Sequence, residues 1–176
     1  MTKVITFSRQ FPGYHPRKGE PTQFIQKIWK SLGGVPSAYT LPFTEGDFKK
    51  SIVWGYQMVD GCKYHTIRSG HRWKVGDMFS PVVWGNDINH KSGRSGPYQS
   101  KQIKIAPDIE IKKVWDFEIK DSEDGILWLD GEAITIDKVE LIAKNDGLSL
   151  RDLLDWFKYP KDFSGQIICW NENIKY

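Results

Sequence analysis

Apolar side chains change their period several times along the chain, and each change predicts an element. Residues 4–8, with Val4, Ile5 and Phe7, form a β-branched and aromatic run that predicts a first strand. Residues 11–20 hold Pro12, Gly13, Pro16 and Gly19 and read as loop. After Pro21-Thr22, residues Phe24, Ile25, Ile28, Trp29 and Leu32 recur at helical spacing until Gly33-Gly34, so a helix with a core-covering apolar face is predicted. Phe48, Ile52, Val53, Tyr56 and Val59 repeat that spacing within residues 47–60, a second amphipathic helix broken at Gly61.

From Gly61 the period shortens to two. Across residues 61–77 cationic and hydroxyl side chains alternate with β-branched and aromatic ones, which predicts a strand, a short loop and the start of another strand. In an extended 64–68 segment Tyr64, Thr66 and Arg68 share one face, while His65 and Ile67 share the other. Residues 78–84 predict a strand. Residues 85–100 form a basic loop rich in Gly, Ser and Asn, carrying His90, Lys91, Arg94 and Tyr98, of a length that marks functional or mobile loops. Three further β-rich runs follow at 102–106, 109–118 and 126–136, the last turned as a hairpin at Asp130-Gly131. Ser149 and Asp152 make a capping pair for a helix whose apolar face is Leu150, Leu153, Leu154 and Phe157. Many short strands separated by turn signals, with flanking helices, predict an α+β fold built on a small β-barrel rather than a parallel sheet.

Composition narrows this picture. A chain of 176 residues suits one domain with a real core, and 39% hydrophobic with 14% aromatic residues excludes a disordered polymer. Residues 1–7 lack the apolar core of a signal peptide, and nowhere do about 18 apolar residues run together, so a cytoplasmic protein without membrane contact is expected. Cys62 and Cys169 are too few for a disulfide framework, and His15, His65, His71 and His90 show no ligand spacing; reduced thiols, no metal and no cofactor are expected. The net charge of +3 is unevenly placed: residues 1–60 carry +4, residues 61–104 carry +6 and residues 105–176 carry −7. Such a basic middle suits a face for phosphates or other anions, and equally a set of solvated strand edges.

The spacing Gly61-x-Lys63-x-x-Thr66-x-Arg68 resembles the signature of the ASCH domain, of the PUA-like β-barrel superfamily. The first strand, a short helix leading into that signature, the 143–154 segment that presents an acidic residue before a capped helix, and Tyr159-Pro160 followed by a closing strand at 165–170 resemble further family segments in the same order. The likeness is greatest to the small bacterial N(4)-acetylcytidine amidohydrolases, relative to which residues 9–45 look like a helical insertion. The resemblance implies a single ASCH-type domain spanning residues 1–176.

In those enzymes the signature threonine is the proposed nucleophile, the lysine its base and a glutamate before the late helix the acid. Position by position the resemblance assigns Thr66, Lys63 and Asp146. A hydroxyl needs a neighbour to take its proton, and a lysine can do so only when its pKa lies well below about 10.4. Two departures matter: the acid is an aspartate, one methylene shorter, and strand alternation separates Lys63 from Thr66 unless Lys63 sits in a turn, which Gly61 would supply. Asn145-Asp146-Gly147 also reads as a plain turn. Arg68 is a candidate oxyanion partner; Arg72, Trp84, Arg94 and Tyr98 are candidate substrate contacts, the aromatics by stacking on a base. The expected activity is hydrolysis of an amide on an acylated cytidine or related nucleoside. The alternative is a non-catalytic module that binds RNA or a modified base, with no obligate protein partner in either case.

Overall fold

The computed structural model describes residues 3–34, 55–86, 88–120, 126–158 and 162–176. The fold is mixed α+β, with two β-sheets and flanking helices. The chain divides into two compact units: residues 1–13, 17–60 and 78–109 form the first, and residues 14–16, 61–77 and 110–176 the second.

In the first unit the β-branched run becomes strand β1 (Lys3–Thr6), which lies parallel to β3 (Met78–Trp84), Thr6 opposite Val82. Strand β4 (Gln102–Lys104) runs antiparallel to β3, and β5 (Ile109–Glu110) also pairs with β3. The predicted first helix forms as α1 (Phe24–Ser31) and buries Phe24, Ile25, Ile28 and Trp29, the residues its periodicity singled out. Its Trp29 indole donates to the Ile105 carbonyl at 2.8 Å, so the ring's polar edge is satisfied inside the core. Residues 55–58 are helical, and the earlier part of the predicted second helix lies outside the described residues.

The second unit is a five-stranded sheet in the order β2-β9-β6-β7-β8, formed by β2 (His65–Ser69), β9 (Phe163–Cys169), β6 (Lys113–Ile119), β7 (Leu127–Leu129) and β8 (Glu132–Ala133). The β7–β8 turn is Asp130-Gly131, both with positive φ (49° and 83°), the two-residue geometry that matches strand twist. One face of the sheet, carrying Ile67, Ile167 and Phe117, packs with Val139, Ile142, Ala143 and Leu153 in a single core. Those last four come from helices α2 (Ile136–Asn145) and α3 (Leu150–Trp156).

Two expectations are corrected here. The 109–118 run is two strands, because at Ile111 and Lys112 the backbone N–H groups turn to Asp77 O and Cys169 O instead of continuing one ladder. The 126–136 run ends as strand at Ala133; Thr135 is the N-cap of α2, a helix that the β-branched residues Ile134, Thr135 and Ile136 disguised. The Ser149 cap is as expected, its hydroxyl accepting from Asp152 N at 3.0 Å.

Candidate active site

Gly61 takes φ +75°, and the chain turns there before joining the sheet, so Lys63 precedes β2 and is outside the strand's alternation. Tyr64 ties this turn down: its N–H donates to Asn145 O at 2.8 Å, and its carbonyl accepts from Trp170 N at 3.1 Å. Across from it, α2 ends at Asn145, with Asp146 as the C-cap residue. The turn and the helix end therefore face each other.

Lys63 and Asp146, 83 positions apart, meet there. Lys63 Nζ donates to Asp146 Oδ1 at 2.8 Å and to Asp146 O at 2.7 Å, with the lysine side chain 1% exposed and the aspartate 8%. The carbonyl is one of those a helix C-terminus leaves without an intrahelical donor, so the ammonium answers both the carboxylate and the helix end. An ion pair this deep persists because each charge satisfies the other; one alone would be strongly penalised.

His65 is the residue that the family signature does not mark. Its ring is fully buried, with Nδ1 standing 3.3 Å from Asp146 Oδ1 and the Ile142 backbone also near the ring. The ring meets Tyr176 edge-on at 5.7 Å, and Asn145 Nδ2 donates to the Tyr176 hydroxyl at 3.1 Å. Strand alternation was the available signal, since it sets His65 beside Ile67 on the covered face. Tyr176 and Asn145 left no such signal.

The electrostatics follow from burial and pairing. Burial pushes the Asp146 carboxyl up, but Lys63 and then His65 pull it further down, and it lies below the ordinary carboxylate range. Burial lowers His65 below its ordinary value, outweighing the pull of Asp146, so the ring is held neutral. Arg68 is lowered to about 10, by burial first, with Asp146 opposing and Arg72 reinforcing the shift. Burial pushes Cys169 up to about 11 and Tyr176 higher still, so neither supplies a nucleophile near neutral pH.

Thr66 is 4% exposed and pairs with Ile168, on the β2 face opposite His65 and Ile67. Arg68, opposite Gln166, shares that face. On the same side Trp73 N donates to Gln166 Oε1 at 3.1 Å, which anchors the loop after β2. The structure thus joins Lys63 to Asp146. Arg72 is exposed, its guanidinium 5.4 Å above the Trp73 ring.

Trp84, Arg94 and Tyr98 belong to the first unit, and Arg68 and Arg72 to the second. Trp84 ends β3 half-buried, with the Tyr98 ring 5.4 Å away and tilted by 52°; Tyr98 is 86% exposed and holds φ +62°. Arg94 is exposed on the 88–100 loop, whose turn is set by Asn89 N donating to Arg94 O at 2.7 Å. Among the described residues no cluster of three metal-ligating side chains occurs, and no helix is long and apolar enough to cross a membrane. Both cysteines are free thiols.

The chain matches no family model, no curated protein and no solved structure.

Proposed function

We propose that the second unit is an amide hydrolase of the ASCH type, on a PUA-like frame, acting on an acylated cytidine or related modified nucleoside. The observation that supports this reading is the buried Lys63–Asp146 pair, which unites at 2.8 Å the two residues that the resemblance assigns as base and acid. In the ion pair the lysine holds the proton and is no base. The reaction needs that proton moved across the hydrogen bond to Asp146, against the lowered carboxyl, to give a neutral amine and a neutral carboxylic acid.

In this reading Thr66 Oγ attacks the amide carbonyl and its proton passes to Lys63, which requires the lysine amine, bonded to Asp146, to reach the Thr66 face of β2. Collapse of the tetrahedral intermediate breaks the C–N bond, and the departing cytidine amine takes the Asp146 proton. Water cleaves the threonyl ester, gives up one proton and releases the acid, returning Thr66 to its hydroxyl. Arg68 shares the Thr66 face and stays charged at neutral pH even when lowered to about 10, which supports it as the oxyanion's cation in this reading.

The test is cytidine release from N(4)-acetylcytidine by the purified protein. Thr66→Ala is expected to lower kcat by at least about a thousandfold, as loss of an attacking group does, with substrate binding retained. Binding without turnover in the wild type would instead favour a reader of RNA or a modified base, a reading that the exposed Tyr98 against Trp84 supports.

A further inference from the structure

The first unit contains a cleft of about 380 Å³ lined by Trp84 but by none of Lys63, Thr66 and Asp146. One wall is the continuation of β1 through Phe7, Arg9, Gln10 and Phe11; the other is the end of β3 with Trp84 and Asn86, closed by the chain at residues 96–97. Because β1 and β3 are parallel neighbours, the cleft opens at the carboxyl ends of both strands.

The β1 wall is braced. Thr22 Oγ1 donates to Ser8 O at 2.7 Å and Thr22 N to Arg9 O at 3.0 Å, while Phe11 N donates to Glu20 O at 2.9 Å. Phe7 N donates to Val82 O at 2.7 Å, joining this wall to β3. On this frame Phe7 and Phe11 are buried, Trp84 and Arg9 are half-buried, and the Gln10 and Asn86 amides are exposed. Burial lowers the Arg9 guanidinium from its ordinary value.

We propose that this cleft binds a nucleoside monophosphate, with the base against Trp84, its polar edge read by Gln10 and Asn86, and the phosphate on Arg9. An aromatic wall takes a planar heterocycle, an amide offers both donor and acceptor to its edge, and a guanidinium matches phosphate geometry. The cavity lies within the size range of small-molecule sites. The same chemistry is presented by a free nucleotide and by one nucleotide of an RNA strand.

Calorimetric titration of the full chain with CMP, cytidine, inorganic phosphate and a cytidine trinucleotide tests this. CMP is expected to bind about tenfold or more tighter than either cytidine or phosphate, the gain from a charged contact added to a stacked base. Arg9→Gln should erase the preference for CMP over cytidine and leave cytidine binding in place, whereas Trp84→Leu should weaken both about tenfold. Arg9→Lys, retaining charge without the fork, should keep part of the preference and controls for folding together with the melting temperature. A trinucleotide that binds tighter than CMP assigns the site to RNA; one that binds no tighter assigns it to the free nucleotide. Equal affinity for CMP and cytidine, phosphate binding as tight as CMP, or CMP affinity unmoved by both Arg9→Gln and Trp84→Leu would overturn the proposal. Binding is read without turnover, so an inactive wild type would sink the amidase reading and leave this one standing.

Discussion

The polar cluster of the second unit and the cleft of the first use the same materials in opposite ways. In the cluster, Lys63 is 1% exposed and stays there because Asp146 answers both its charge and its hydrogen-bonding capacity. In the cleft, Arg9 is half-buried beside an opening of about 380 Å³. The difference teaches where each cation's free energy is invested. Removing a fully desolvated partner exposes the other to an uncompensated burial cost, which appears in stability; removing a cation at an open cleft leaves solvent to take its place, which appears in binding.

The largest expected effect breaks the cluster. Lys63→Met should destabilise the protein by about 3–5 kcal/mol in denaturant unfolding, since it strands the Asp146 carboxylate, and adding Asp146→Leu should recover most of that loss. Arg151→Met, at the 2.9 Å but exposed bridge to Asp155, should cost less than about 0.5 kcal/mol. A Lys63→Met variant as mild as Arg151→Met would show that the pair is not desolvated in solution.

The next effect sharpens the contrast through pH. Because burial depresses His65 below its unfolded value of about 6.5, the unfolded chain binds the extra proton between the two values, and stability rises with pH there. The His65 contribution is whole above about pH 6.5 and is lost as pH falls, with a slope of up to about 1.4 kcal/mol per unit. Asp146 acts lower: with its folded value depressed, its contribution is whole above about pH 3.9 and is lost as pH falls through the folded value. Unfolding free energies at pH 7, 6 and 5 should show the first loss, and His65→Gln should flatten it. An equal slope in that variant would place the titrating group elsewhere. The smallest effect is local: Ser149→Ala should cost about 1 kcal/mol by removing the cap bond to Asp152 N, with activity unchanged.

Strand β9 was expected only from the order of segments in the resemblance, whereas strands β1, β2 and β3, helix α1 and the capped helix α3 were legible because each is written in a local period bounded by a turn or cap signal. Helix α2 was not, although Val139, Ile142 and Ala143 carry its spacing. It is entered through the β-branched Ile134, Thr135 and Ile136, and burial of Val139, Ile142 and Ala143 against Ile67, Phe117 and Ile167 outweighs the local preference for strand. Lys63 and Asp146 were legible as candidates through motif order, and Gly61 as the turn that frees Lys63 from the strand's alternation.

Their bond was not legible, nor was the entry of His65 into the same cluster, because residues 63 and 146 are brought together only when the β2 edge and the end of α2 are both in place. The Arg9–Trp84 cleft has the same origin, in a parallel pairing of β1 with β3 across some 75 positions. By itself the sequence determined where the chain is extended, helical or turned, since those follow from sterics and periodicity within a few residues. Tertiary structure alone decided which charges lose their water and which face one another, since desolvation depends on the neighbours that packing supplies.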